Sequence, residues 1–293
     1  MRMSVKNGAK DTIFERNRLL KLRGELHELD EPWVMGILNL TPDSFYDGGR
    51  YNEVSPALRQ TEKMIEEGAR IIDVGASSSR PGAQALSARE EIERLTPYLS
   101  AASRKFPEVF FSVDTYQAEV ARAAADAGVD LINDISGGQL DENMTATVAE
   151  LGLPYIMMHM KGTPENMREL AQYEDVFKEV ILFFSRQMAR FREKGVHDII
   201  IDPGFGFAKN LEQNYELLYK LDQFKMLAAP ILVGISRKSM ITRLLKIKPE
   251  KALNGTSVLN TIALMKGADI LRVHDVAEAV EAVKILTFIE NYS

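Results

Sequence analysis

The chain has no cysteine, which excludes disulfides, thiolate metal sites and cysteine nucleophiles and is compatible with a reducing compartment. Its four histidines, His27, His159, His197 and His274, include no H-x-H pair, which speaks against a two-metal hydrolase built on such a pair. Apolar runs long enough to cross a bilayer are missing, and the charged N-terminal stretch has no apolar signal segment. A cytoplasmic location without a membrane partner is the expectation. A basic excess is missing too: the formal charge is -6, so no general nucleic-acid surface is expected. An anionic substrate would have to find local basic residues.

What the sequence has is an alternation. Its 293 residues, 45% apolar and 27% charged, suit a soluble globular protein, and an α/β barrel of one domain commonly reaches this length. Short runs rich in Val, Ile, Leu and Met end near Leu40, Gly75, Asp114, Ile135, His159, Asp202, Ser236 and His274. Helix-period segments lie between them: Pro56–Glu67, Ala88–Lys105, Gln117–Ala127, Asn143–Leu151, Tyr173–Lys194, Leu211–Met226 and Leu253–Lys266, with a last one from Val276 to Glu290. Nearly continuous apolar strands imply burial on both faces, and alternation with helices implies parallel pairing. Eight such units predict a single (β/α)₈ barrel of the α/β class over residues 32–293, with residues 1–31 as a short extension capping its base. In that extension "LLKLRGELHELDE" alternates around Gly24, which fits either a hairpin over the barrel bottom or a frayed helix.

A repeat supports the barrel. "EGARIIDVG", "AGVDLINDI", "KGVHDIIIDPG" and "KGADILRVH" precede the second, fourth, sixth and eighth strands, and each carries a glycine, Gly68, Gly128, Gly195 or Gly267, where a helix should end. Glycine fits the left-handed position there, so each repeat reads as a helix-to-strand turn at the base.

The opposite end collects polar residues. Asn39, Asp73, Asp114, Asn133, His159, Asp202, Lys238, Arg272 and His274 all stand at or just beyond strand C-termini, where barrels of this kind build active sites. One Asp after a strand is usually a helix cap. A polar group from every strand instead suggests a ligand that supplies the missing hydrogen-bond partners. "GISRKSM" sets Ser236, Lys238 and Ser239 at a strand-to-helix turn suited to an anion, and Arg272 with His274 in "RVH" share one side of the eighth strand. "SSSRPG" is a polar loop with one basic side chain. Asp114, Asn133 and Asp202 offer acceptors and an amide to a flat heterocycle with several N–H donors. Paired carboxylates also allow glycosidase chemistry, which turns on a separation that only a structure measures.

Taken together, "MGILNLTPDSFYDGG" (Met35–Gly49), "DVGASSSRPG" (Asp73–Gly82), "VDT" (Val113–Thr115), "NDISGG" (Asn133–Gly138), "DPGFGFAK" (Asp202–Lys209), "GISRKS" (Gly234–Ser239) and "RVHDV" (Arg272–Val276) resemble the dihydropteroate synthase family, in the family's order and from about Leu20 to the C-terminus. One departure stands out. The family usually carries Gly-Glu-Ser-Thr-Arg-Pro-Gly in the second loop, and this chain has Ala76-Ser77-Ser78-Ser79-Arg80-Pro81-Gly82.

The resemblance implies a TIM-barrel transferase of folate biosynthesis that joins p-aminobenzoate to 6-hydroxymethyl-7,8-dihydropterin pyrophosphate and releases pyrophosphate. It implies that Asp114, Asn133, Asp202 and Lys238 bind the pterin, and that Asn39, Arg272 and His274 hold the pyrophosphate with Mg²⁺ touching Asn39. Arg80, Pro81, Phe207 and Ser239 would form the p-aminobenzoate pocket, and Asn39, Lys238, Arg272 and His274 would carry the catalysis. A cytoplasmic homodimer formed through the late helices and a sulfonamide target are implied as well. Thr41–Tyr51 would be a loop that folds over pyrophosphate. A corrinoid-linked methyltransferase would share the pterin residues without the pyrophosphate set, and a non-catalytic pterin-binding barrel is the alternative outside enzymes.

Overall fold

The computed structural model describes residues 18–40, 54–76 and 86–292. The first described element is a hairpin. Strands β1 (Leu19–Leu22) and β2 (Glu25–Glu28) pair antiparallel, with Leu22 opposite Glu25 across the two-residue turn Arg23-Gly24. Both turn residues have positive φ, 52° and 84°, the backbone of the tight turn whose twist matches paired strands. That turn and the period-two burial of Leu20 and Leu22 decide for a hairpin against a frayed helix. Leu20, Leu22 and Leu29 are buried against an apolar barrel floor that includes Met35, Ile71, Leu131, Ile156, Ile200 and Ile270. Arg23 fastens the turn: its Nε lies 2.8 Å from Asp130 Oδ1, and Nη2 donates to the Val109 carbonyl at 2.7 Å.

Beyond the hairpin, strands and helices alternate: β3 (Trp33–Asn39), α1 (Val54–Glu66), β4 (Ile71–Gly75), α2 (Ala88–Lys105), β5 (Phe110–Asp114), α3 (Ala118–Asp126), β6 (Leu131–Asp134), α4 (Met144–Leu151), β7 (Tyr155–Met158), α5 (Val176–Glu193) and β8 (Ile199–Asp202). The second part holds α6 (Leu211–Tyr219), β9 (Leu232–Val233), α7 (Ser239–Leu245), α8 (Leu253–Met265), β10 (Ile270–Val273) and α9 (Val276–Glu290). Strands β3 to β10 form one parallel sheet in the order β8-β7-β6-β5-β4-β3-β10-β9. A parallel bridge between Ile201 and Ile231, with the Ile201 N–H donating to the Pro230 carbonyl at 2.9 Å, joins the two ends. The sheet is thereby nearly closed into the expected eight-stranded barrel.

Local signals explain the boundaries. Helix α2 starts where Ser87 and Glu90 form a reciprocal capping box, and α5 starts at Asp175, whose carboxylate accepts from the Lys178 N–H at 2.9 Å. Gly68, Gly128, Gly195 and Gly267 all have φ between 88° and 101°, as the repeat requires. One element differs from expectation. The segment expected as one helix over Leu211–Met226 splits at Lys220 into α6 and a 3₁₀ stretch, Leu221–Leu227. The strand-to-helix turn expected after β9 leads into the short helix α7.

Side-chain alternation then positions the site. Going up four of the strands, the lumen-facing residue changes from apolar to polar: Ile71 to Asp73, Leu131 to Asn133, Ile200 to Asp202 and Ile270 to Arg272. Outward residues such as Val74, Phe111, Tyr155 and Ile201 pack under the helices in the main core.

Candidate active site

The polar layer is organised by one guanidinium. Arg272, two residues above Ile270, reaches across the lumen so that Nε lies 2.6 Å from Asp73 Oδ2 and Nη2 lies 2.8 Å from Asp114 Oδ2. Asn133 donates its amide N–H to the same Asp73 oxygen at 3.0 Å, which leaves its amide oxygen available. Asp73 is fully buried, yet its other oxygen, like the Ser112 hydroxyl below it, has no partner among the described residues. Burial pushes the Asp114 carboxyl up to about 7, against the pull of Arg272 and with a push from Asp73.

A second group faces it from β8 and β9. Asp202, 5% exposed, accepts the Gly204 N–H at 2.8 Å through one oxygen, and burial raises its pKa while Lys238 opposes that rise. Lys238 Nζ donates to the Phe205 carbonyl at 2.7 Å and lies 4.8 Å from the centre of the Phe207 ring. Although the Lys238 stem is partly exposed, the desolvated ammonium is lowered to about 8. Gly234 is the lumen-facing residue of this segment, and a Cβ there would stand 3.7 Å from Lys238 Nζ and 3.8 Å from Arg272 Cβ. Its missing side chain keeps the mouth open between the two cations.

His274 and Ser239 stand on the rim. The His274 ring is 3.0 Å from the buried Ser236 hydroxyl through Nδ1. Packing of the ring's inner side and the Arg272 charge lower its pKa to about 4, although the residue as a whole is exposed. Ser239 is exposed at the first position of α7, and Asn39 ends β3 half-buried. Phe207, 7% exposed, packs with Ile135, Met158, Met160 and Met167 above β7. Arg80 and Pro81 lie outside the described residues, as does the segment Thr41–Tyr51.

Strand β7 breaks the pattern of one polar group per strand. His159 is turned away from the lumen: Nδ1 is 3.0 Å from Lys209 Nζ, and the ring meets Phe183 edge-on at 4.9 Å. Period two explains this, since Ile156 and Met158 take the inward positions. Two participants had no role in the sequence reading. Asp73 stood on the rim without an assigned task, and the structure makes it the centre of the hydrogen-bonded layer. Glu91, which reads as an ordinary acidic residue of a helix start, is buried behind Asp114 and accepts from Thr115 Oγ1 and Gln117 Nε2, each at 3.0 Å.

Among the described residues no group of three His, Cys, Asp or Glu side chains converges as a protein cage. Mg²⁺ usually keeps waters and binds through one or two protein oxygens plus substrate phosphate, a chemistry that a single Asn39 amide oxygen at the rim fits.

The family model for pterin binding enzymes matches residues 35–274. The curated dihydropteroate synthase of Escherichia coli strain K12 is 46% identical, the alignment covering 90% of this chain and 94% of that protein. Dihydropteroate synthase of Yersinia pestis, solved with a sulfonamide drug, superposes with a TM-score of 0.87 at 42% identity, covering 93% of this chain and 99% of that one. That of Xanthomonas albilineans, solved with 4-aminobenzoic acid, gives a TM-score of 0.86 at 36% identity, covering 93% of this chain and 98% of that one. The chain belongs to the dihydropteroate synthase family. It is thus a transferase of folate biosynthesis, built on the TIM barrel of the dihydropteroate synthases.

Proposed function

We propose that the mouth of the barrel carries dihydropteroate synthesis through a division of labour between its buried and rim residues. The observation that carries this reading is the polar layer on an apolar floor: Asp73, Asp114, Asn133 and Arg272 joined by hydrogen bonds, with Asp202 and Lys238 opposite. Asp114, Asp202 and the free amide oxygen of Asn133 accept from the amino and ring N–H groups of the pterin, and Lys238 donates to its acceptors. Arg272 holds the carboxylates in place from below and, with His274 and Asn39, turns positive and polar groups toward the pyrophosphate. Mg²⁺, when bound, supplies positive charge to the leaving group, and Asn39 is the residue that would hold it.

The reaction needs alignment and charge stabilisation more than acid or base chemistry. The bond between the pterin methylene carbon and the pyrophosphate oxygen breaks, leaving a cation conjugated with the electron-rich pterin. The neutral aniline nitrogen of p-aminobenzoate then forms the new C–N bond and loses a proton. Phe207, with Arg80, Pro81 and Ser239, walls that second substrate, and the N-terminus of α7 favours its carboxylate. Sulfonamides, which resemble p-aminobenzoate, would take the same place. Purified protein with Mg²⁺ is expected to release pyrophosphate only when both substrates are supplied. Release with p-aminobenzoate omitted, or none with both present, would defeat the proposal; the second result would favour the non-catalytic pterin-binding reading that the Ala76–Ser79 departure suggests.

The same reading includes a cytoplasmic homodimer. No helix among the described residues is long and apolar enough to cross a membrane. Helices α8 and α9 pack together and expose Val258, Ile262 and Met265 on one, and Ile285, Phe288 and Ile289 on the other. Apolar side chains gathered in this way mark an association surface, and a second copy of the chain is the partner the reading assigns to it. Sedimentation velocity should give twice the 32.9 kDa chain mass, and Phe288→Glu should return the monomer. A monomeric wild type at micromolar concentration would dispose of the dimer.

A further inference from the structure

Lys209 closes the motif "DPGFGFAK", and the reaction as described gives it no part. It is nevertheless the most enclosed ammonium near the site, on a side chain only 8% exposed. Its Nζ donates to the Gly204 and Phe207 carbonyls at 3.0 Å each and to the His159 carbonyl at 3.3 Å, and it lies 3.0 Å from His159 Nδ1. An ammonium has three protons for these four acceptors, so every proton is engaged and one is shared. Burial and the adjacent Lys209 charge hold His159 well below its ordinary pKa, which suits a neutral ring whose Nδ1 accepts. The loop is wrapped tightly around this point. Gly204 has φ 72°, and a Cβ there would fall 2.0 Å from the His159 carbonyl oxygen, so the ends of β7 and β8 meet backbone to backbone.

A solvated lysine in a loop does little, but a buried one that binds three carbonyls sets the path of the chain between them. The residues it encloses are Gly204 to Ala208, and they supply both groups seen by Lys238: the Phe205 carbonyl and the Phe207 ring. Phe207 is also packed from behind by Met160 and Met167, which follow His159 on the other loop that Lys209 holds. The two loops therefore reach Phe207 through one shared cation.

We infer that Lys209 is a positioning residue for p-aminobenzoate: it holds the β7 and β8 loops together so that Phe207 stands as the wall of that substrate's pocket. This inference rests on the assignment of Phe207 to that pocket. Removal of the ammonium leaves three carbonyls without their donor and frees the loop to shift the ring. The pterin, held by Asp114, Asn133 and Asp202 from other points, is affected much less.

The test is a double-mutant cycle on turnover with Lys209→Met, Phe207→Ala and the two combined, together with calorimetric titration of each protein with pterin pyrophosphate. Each single change is expected to raise the KM for p-aminobenzoate about tenfold, and the combination to raise it by well under the hundredfold product, because both act through one ring. Pterin affinity should stay within about threefold of wild type, since its ligands keep their places. Lys209→Gln, which retains a donor, should fall between wild type and Lys209→Met. If Phe207→Ala leaves the KM unchanged, the assignment of Phe207 falls and this inference with it. If Phe207→Ala raises the KM but Lys209→Met does not, or if the two effects multiply fully, only the role of Lys209 falls. Loss of pterin binding in both Lys209 variants would make it a residue of the fold and overturn the inference as well.

Discussion

Replacing Arg272 by Met should abolish turnover and lower the unfolding temperature in the same protein, because this side chain is both the organiser of the mouth and the countercharge of two buried carboxylates. Removing one partner of a buried ion pair typically costs about 3–5 kcal/mol, since the other charge stays desolvated. For a chain of this size that corresponds to a fall of roughly 6–20 °C, at about 2–4 °C per kcal/mol. The sign of the pH dependence follows from Asp114. Its carboxyl is already raised to about 7 with Arg272 present, and loss of the guanidinium raises it further. A raised carboxyl binds more protons in the folded state than in the unfolded one, so its contribution to stability falls as pH rises from the unfolded value near 4 through the folded one. The variant should therefore lose most at pH 8 and least at pH 5. Adding Asp73→Asn should restore part of the stability, because a neutral amide in place of the fully buried carboxylate has less need of a cation. It should not restore turnover. Thermal unfolding of the single and double variants at the two pH values decides the matter, and an unchanged midpoint for Arg272→Met would show that the ion pairs contribute nothing to the fold.

Much of this architecture was legible because it is written in local signals. Helices α2 and α9 begin and end at the expected residues, Ala88–Lys105 and Val276–Glu290, since periodicity and flanking residues act within a turn or two. The four base glycines were legible for the same reason: a left-handed helix end excludes most other residues. The inward set was legible only in part. A polar residue at a strand end could be seen at His159, but the strand's parity gives the lumen to Met158 and sends the imidazole outward. The partner choice of Arg272 was not legible at all, because Asp73 and Asp114 stand 199 and 158 positions away and only barrel closure brings them within reach. Lys209 shows a further limit. Three of its four acceptors are backbone carbonyls, and carbonyls leave no trace in side-chain chemistry.

Asp202→Asn should separate binding from folding more cleanly than any other single change. The carboxylate is almost fully buried, and one of its oxygens already accepts the Gly204 N–H at 2.8 Å. Its remaining lone pairs face the mouth, where the proposed pterin brings N–H donors. Asparagine is nearly isosteric and can keep the Gly204 bond through its amide oxygen, but it then presents an NH₂ to the ligand, donor against donor. An unmet charge-assisted pair of this kind costs about 2–4 kcal/mol, which is roughly 30-fold to 1,000-fold in affinity. The fold should not suffer. Burial raises the Asp202 pKa, so the folded state bears an electrostatic cost for the charged group that the neutral amide removes, and the unfolding midpoint should hold or rise. Lys238 responds in the opposite sense, because Asp202 is what holds its lowered pKa up at about 8, and without that charge the ammonium loses its proton at a lower pH. The variant's residual pterin affinity should therefore decline from neutral pH upward, where Lys238 stops donating, while wild type retains its affinity to higher pH. Calorimetric titration with the pterin at pH 7 and pH 8.5, beside thermal unfolding, reads all three effects. A folded variant with wild-type affinity at both values would remove Asp202 from the pterin site.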